Sequence, residues 1–442
     1  MIRQQRAAAA LCADIAQRLA DPDRVRERLP EPPDPAHAMT LSDGLPGIAL
    51  LHLELGGGGD DGGDMDAQQT AHRWLSEAVA RARTAPQDAP GLYRGVPALS
   101  FALTRAALIA GRPLKAADRL AGQVAEFARA LAAWERSRRP QDGVCVTIGT
   151  YDVISGLTGL GAHLLDTPGG RDALAEVLTA LAGLTEPLHL DGRTLPGWWT
   201  AQLRNGLAPA TPRTGHANVG LAHGVPGPLA LLALAREAGV TVAGQDKAIH
   251  VMAQWLMTIG QFTEGDGPWW PRTMVLGQDG AVVPKDTTPG RPSWCYGTAG
   301  IARSLYLAGR ALDVPEWRDT AVTALRAAVA DARRSHETRA AGRLEDAGLC
   351  HGWGGLLQTT WRMATDTGDG ALRAALPWLA DRILELAAPA DPFGLVPPAR
   401  QGTITSDPAG FLTGAAGAAL ALWTFATDTA PVTGWDRALL VG

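Results

Sequence analysis

Seven times along the chain a short glycine-bearing turn runs into an apolar stretch of helical length, and a polar–apolar mixture follows before the next turn. The turns are Asp43-Gly44-Leu45-Pro46-Gly47, Arg94-Gly95-Val96-Pro97, Ser155-Gly156-Leu157-Thr158-Gly159, His223-Gly224-Val225-Pro226-Gly227, Tyr296-Gly297-Thr298-Ala299-Gly300, His351-Gly352-Trp353-Gly354-Gly355 and Thr413-Gly414-Ala415-Ala416-Gly417. Their first glycines are 51, 61, 68, 73, 55 and 62 residues apart. Each interval holds two helices of about 12 residues plus connections. The stretches after the turns, such as 47–55, 97–108, 226–236 and 415–425, are almost wholly apolar or small, and helices apolar all round are buried. The segments between, 67–83, 114–138, 171–184, 246–259, 317–335 and 371–386, mix polar and apolar positions with helical periodicity, and 3–20 supplies one more before the first turn.

This pattern predicts an all-α chain: an α/α toroid, or barrel, of about seven inner and seven outer helices in a single domain spanning 1–442. An open solenoid of helix pairs is the alternative. Uneven repeat lengths and the lack of polar end caps favour closure. In a toroid all seven turns lie at one end, so residues remote in sequence meet around one mouth. Glycines there let backbones approach closely and leave helix-start N–H groups accessible. Chemistry is therefore to be sought in or just before the turns.

Composition fits this placement. The chain has 442 residues, 52 of them glycine and 31 proline, yet its hydrophobic share is an ordinary 46%. Part of the glycine excess falls in the seven turns, where it marks helix starts, and more lies in the loop at 56–63. A net charge of -5 and a pI near 6.1 give no basic footprint for nucleic acid or anionic membranes. The opening MIRQQRAAAALCAD is interrupted at Asp14 and reads as an amphipathic helix, not a signal peptide. No apolar run approaches the roughly 20 residues that span a bilayer. Four cysteines are too sparse for a disulfide scaffold. A soluble cytoplasmic protein is expected.

The fifth and sixth turns hold Cys295 and Cys350-His351 at equivalent repeat positions. Two thiols and an imidazole suit zinc, and three protein ligands leave a fourth position open, as in catalytic sites. Buried packing of the cysteines and a capping role for His351 form the competing reading. Cys12 and Cys145 lie outside any turn and read as packing residues. His223 opens the fourth inner helix as a general acid or base, a fourth zinc ligand or a helix-start hydrogen-bonder. Asp152 precedes the third turn amid apolar neighbours, either capping a helix or paired with His223 or Arg291. Arg291, four residues before Cys295, is either an oxyanion stabiliser or a surface arginine. Tyr296 either donates a hydrogen bond or packs. The tryptophans, 14 in all, cluster after Trp198 and read first as core.

Four segments carry a resemblance: Tyr151-Asp152-Val153-Ile154-Ser155-Gly156-Leu157-Thr158-Gly159, Asn218-Val219-Gly220-Leu221-Ala222-His223-Gly224, Ser293-Trp294-Cys295-Tyr296-Gly297-Thr298-Ala299-Gly300 and Cys350-His351-Gly352. In this order, and over essentially its full length, the chain resembles the lanthionine synthetase C family of lanthipeptide cyclases. Ala299 stands where the family often shows proline, and Trp353-Gly354 where smaller or apolar residues are common. The resemblance implies a two-layer α-toroid, zinc held by Cys295, Cys350 and His351, and roles near the metal for Asp152, His223, Arg291 and Tyr296. It implies addition of precursor-peptide cysteines to dehydroalanine or dehydrobutyrine, giving lanthionine or methyllanthionine rings. The expected partners are a dehydrated precursor peptide with its leader and a separate dehydratase, in a biosynthetic complex at the membrane or free of it. The long spacings at 188–217 and 262–290 leave room for inserted peptide-binding elements. Two rivals stand beside this reading: a non-catalytic zinc- and thiol-binding relative, and an α/α-toroid glycoside hydrolase, which needs two opposed carboxylates at the mouth.

Overall fold

Alanine- and leucine-rich segments bounded by glycine turns fold in the computed structural model as helices. It describes residues 1–29, 37–57, 64–82, 91–201, 215–263, 267–340, 342–397 and 408–442. Sixteen α-helices run through the described residues: α1 (Ile2–Arg18), α2 (Pro22–Arg28), α3 (Leu45–Gly57), α4 (Met65–Ala82), α5 (Gly95–Ala110), α6 (Lys115–Arg136), α7 (Ile148–Tyr151) and α8 (Leu157–Leu165). There follow α9 (Arg171–Gly183), α10 (Pro226–Glu237), α11 (Gln245–Ile259), α12 (Thr298–Ala311), α13 (Pro315–Glu337), α14 (Trp353–Thr367), α15 (Gly370–Leu384) and α16 (Ala415–Thr427). None is long and apolar enough to cross a membrane.

The helices that follow the turns, α3, α5, α8, α10, α12, α14 and α16, are buried over most of their length. Each packs against an amphipathic helix: α3 on α4, α5 on α6, α8 on α9, α10 on α11, α12 on α13 and α14 on α15. The last pair joins the two ends of the chain, because α16 packs on α1, which buries Ala8, Cys12 and Ile15. Among the buried helices α3 neighbours α5, α8 neighbours α10, and contacts run on through α12, α14 and α16 back to α3.

The seven turns are stitched together by backbone hydrogen bonds in a circuit that returns to its start. Leu41 N–H donates to the Tyr93 carbonyl (3.0 Å), Tyr93 to Ile154 (3.3 Å), Val153 to Ala222 (3.0 Å) and Ala222 to Cys295 (3.3 Å). Cys295 then donates to Cys350 (3.1 Å), Cys350 to Leu412 (2.9 Å) and Leu412 to Ser42 (2.7 Å), back in the first turn. The glycine that closes a turn permits this closeness. A Cβ on Gly159 would stand 2.0 Å from the Val153 carbonyl oxygen, and one on Gly355 1.9 Å from that of Leu349. The chain reverses here within six residues, and no side chain fits.

Purely helical the chain is not. Short strands fill the two long spacings: β1 (Leu188–Leu190), β2 (Arg193–Leu195), β3 (Trp199–Thr200), β4 (His216–Asn218), β5 (Gln261–Thr263), β6 (Gly267–Trp269), β7 (Thr273–Leu276) and β8 (Val282–Pro284). Strands β1–β2 and β5–β6 form hairpins, and β3-β4-β7-β8 form an antiparallel sheet with Asn218 opposite Thr273. This corrects the all-α expectation. Strands of two to four residues are too short for a period-two pattern to register in sequence. Parts of the expected insertions, residues 202–214 and 264–266, lie outside the described residues. The sheet delivers Asn218 to the fourth turn.

Candidate metal centre

The circuit makes the fifth and sixth turns neighbours, and the Cys295–Cys350 backbone bond sets their side chains side by side. The Cys295 and Cys350 sulfurs and a ring nitrogen of His351 all lie within 4.8 Å of one another. No other such group of His, Cys, Asp or Glu side chains occurs among the described residues. Both turns lead into buried helices, Gly297 capping α12 and Gly352 capping α14.

The pair titrates unequally. A hydrogen bond from Cys350, the charge of His351, the Ser293 hydroxyl and the charge of His223 hold the Cys295 thiol well below its usual range, against the opposing effect of burial. Cys350 is pushed up by that same hydrogen bond, by burial and by the negative charge of Cys295, Asp346 and Asp43. Cys12 and Cys145 stand apart from the site, and burial pushes both thiols up, Cys12 to about 12, as fits packing residues.

Beside the sulfurs stands a second pair. His223 Nδ1 lies 2.6 Å from Asp152 Oδ2, and Asp152 Oδ1 accepts from the Ser155 amide at 2.7 Å. The Asp152 side chain is 2% exposed and that of His223 is 32%. The carboxylate is therefore a fixed orienting group, and the imidazole is the member of the pair that a ligand can reach. Its main chain is held by the Tyr151 hydroxyl, which donates to the His223 carbonyl at 3.1 Å.

Tyr296 places its ring 5.9 Å from that of His223. Its hydroxyl accepts from Asn218 Nδ2 at 3.1 Å, while Asn218 Oδ1 accepts from the Gly220 amide at 3.0 Å. That second bond fixes which end of the Asn218 amide faces the phenol. Arg291 is half-buried in the segment leading to the fifth turn, its carbonyl accepting from the Ser293 amide at 2.8 Å. Six of the seven residues singled out in sequence are thus brought together by side-chain geometry, and Arg291 is placed by its backbone.

Two contributors were not read from the sequence. Asp346 is buried, with Oδ2 3.5 Å from His351 Nε2 and Oδ1 accepting from the Gly348 amide at 2.9 Å. The signal was an Asp-x-Gly turn just ahead of Cys350-His351. Asn218, fully buried, was visible only as part of a motif.

The donor set fits zinc. Ligands about 2.0–2.3 Å from a tetrahedral zinc stand about 3.5–3.8 Å apart, so these atoms need close in only slightly. Asp346 behind His351 supplies the carboxylate that a ligating imidazole usually finds on its far nitrogen.

Residues 35–440 match a family described as lanthionine synthetase C-like protein. A solved structure of nisin cyclase, 21% identical, superposes with a TM-score of 0.72 over 100% of this chain and 98% of that one. A search of curated proteins returns no match.

Proposed function

Because the chain belongs to the lanthionine synthetase C-like family, we propose that it is a zinc-dependent lanthipeptide cyclase. It joins cysteine thiols of a dehydrated precursor peptide to dehydroalanine or dehydrobutyrine, forming lanthionine or methyllanthionine. The observation that carries this reading is the meeting of two thiols and an imidazole within 4.8 Å, next to the His223–Asp152 pair. We take the fold as one closed α/α toroid over 1–442, a reading supported by the hydrogen-bond circuit and by the packing of α16 on α1 and α3.

Cys295, Cys350 and His351 would hold the metal, with Nδ1 the His351 nitrogen left once Nε2 turns to Asp346. Bound there, zinc would offer an open position to a substrate thiol, favour its thiolate form and, through two protein thiolates, keep that sulfur electron-rich. His223, oriented through Nδ1, takes the thiol proton on Nε2, and Asp152 stabilises the resulting imidazolium. The sulfur adds to the β-carbon, and the electron pair of the double bond moves onto the adjoining carbonyl. Tyr296 and Arg291 stabilise that enolate oxygen. His223 then returns a proton to the α-carbon. One C–S bond forms, one C=C bond is lost, and the mass is unchanged.

The reading places a leader-bearing peptide and a separate dehydratase beside this chain in the cytoplasm, and assigns peptide contact to 188–217 and 262–290. Glycoside hydrolysis fits poorly, since Asp152 is buried and bonded to His223. Cys350→Ala is expected to release zinc and abolish ring formation on a dehydrated peptide; stoichiometric zinc in that variant contradicts the ligand assignment. His223→Ala is expected to keep zinc but cyclise slowly. Parental rates in that variant remove His223 from the mechanism.

A further inference from the structure

Beneath the metal centre the last part of the chain returns among the buried helices. The reversal is at Asp428, whose φ of 51° caps α16. Glu54 of α3 then accepts the Val432 and Thr433 amides, each at 2.9 Å. Asp436 is buried and held by Arg362 of α14, at 2.7 and 2.8 Å, and by Gln358 at 2.7 Å. Arg303 of α12 donates to the Val441 carbonyl at 2.8 Å. Residues 438–441 are fully buried or nearly so.

Three partners of this segment belong to the turns around the sulfurs. Trp294, directly before Cys295, donates from Nε1 to the Leu439 carbonyl at 2.8 Å. Tyr93, directly before the second turn, donates its hydroxyl to the Ala438 carbonyl at 2.8 Å. Trp435 meets Phe411 edge-on at 5.8 Å, and Phe411 precedes Leu412, whose carbonyl accepts the Cys350 amide. Trp294 also lies against the sixth repeat, its Cβ 3.3 Å from where a Cβ on Gly355 would stand. Ala438 and Leu439 end a 3-10 helix (Trp435–Leu439), where carbonyls lack partners within the helix. Trp294, beside Cys295, takes the Leu439 carbonyl, and Tyr93, beside the second turn, takes that of Ala438.

We propose that residues 433–441 are an internal strut of the metal centre. The Ala438 and Leu439 carbonyls hold Tyr93 and Trp294, and through Trp294 they fix Cys295 relative to Cys350. Tyr93 and Trp294 are then positioning residues. The inference rests on the zinc reading above and goes beyond it, because it assigns metal retention to a segment that contributes no ligand.

The test uses the full chain loaded with zinc and challenged with a chromophoric chelator, alongside the thiolate charge-transfer band of the cobalt-substituted protein. Trp294→Phe removes one N–H donor. Trp361→Phe is the control: it removes the same group from a bond of 2.9 Å to Asp428, which caps α16 ahead of the strut. Trp294→Phe is expected to release zinc about 10-fold faster and to shift the cobalt band, in the range of outer-sphere effects on bound metals. Trp361→Phe is expected to release zinc at the parental rate even if its Tm falls as far. Should Trp294→Phe not fold, Tyr93→Phe tests the segment at its other anchor, the Ala438 carbonyl, since it removes a hydroxyl and no bulk. A parental release rate in Trp294→Phe, or in Tyr93→Phe where that variant stands in, or equal acceleration in Trp361→Phe, overturns the strut. A parent chain that binds no zinc overturns the metal reading and the strut with it.

Discussion

His223 Nδ1 stands 2.6 Å from Asp152 Oδ2, joining residues 71 apart in sequence at the edge of a cysteine pair. The bond decides which nitrogen of His223 is left to work. With Nδ1–H pointing at the carboxylate, Nε2 is the proton acceptor.

Asp152→Asn therefore reverses the imidazole. The new amide can donate to Nδ1, which leaves the proton on Nε2, the wrong tautomer for taking one from a thiol. Cyclisation is expected to slow by about 10²–10³-fold with zinc content unchanged. Steady-state rates beside metal analysis check this, and an unaltered kcat contradicts the assignment.

Asp346→Asn replaces the carboxylate behind His351 and keeps an oxygen for the Gly348 amide. Zinc affinity is expected to fall about 10–100-fold with little change in Tm. Competition with a chelator of known affinity measures it.

Two glycines test the turn geometry in opposite directions. A Cβ on Gly355 would meet the Leu349 carbonyl at 1.9 Å, so Gly355→Ala is expected to cost about 3 kcal/mol or more. A Cβ on Gly122, exposed within α6, would meet nothing within 4 Å, and Gly122→Ala is expected to add up to about 1 kcal/mol. Urea midpoints of the two variants give both values.

Acid should destabilise the fold through buried histidines. Burial lowers His52 to about 4 and His163 to about 3, the latter with help from Arg105. The unfolded chain titrates them near 6.5. Between those limits the unfolded state binds more protons, so stability is complete above about pH 6.5 and is lost as pH falls towards the folded values. At pH 5 each costs about 2 kcal/mol. His52→Gln, whose amide can still donate to the Leu19 carbonyl, should remove its share of the fall in urea midpoint between pH 7 and pH 5. An unchanged fall contradicts this.

What the sequence made legible follows from where its information is local. The repeat showed in the turns because the glycine that closes most of them answers a backbone contact only six residues away, as Gly159 does with Val153. Helix α13 was expected at 317–335 and spans Pro315–Glu337. Cys295, Cys350, His351 and His223 stood out because they occupy equivalent places in that repeat. Asp346 did not, since its bond to Gly348 resembles any Asx turn until the fold sets His351 against it. Nor did the returning segment: Asp436 and Arg362 are 74 residues apart, and each alone reads as a surface charge. The strands escaped because stretches as short as Trp199–Thr200 carry no period.

The central claim is that this chain closes thioether rings with a metal held by Cys295, Cys350 and His351. Its most direct test is incubation of the zinc-loaded protein with a dehydrated peptide containing one dehydroalanine and one cysteine, following free thiol and mass together. Loss of the thiol with no change in mass, faster than in buffer and abolished by Cys350→Ala, is the predicted result. A thiol that persists at the rate seen without protein, while zinc stays bound, would contradict it.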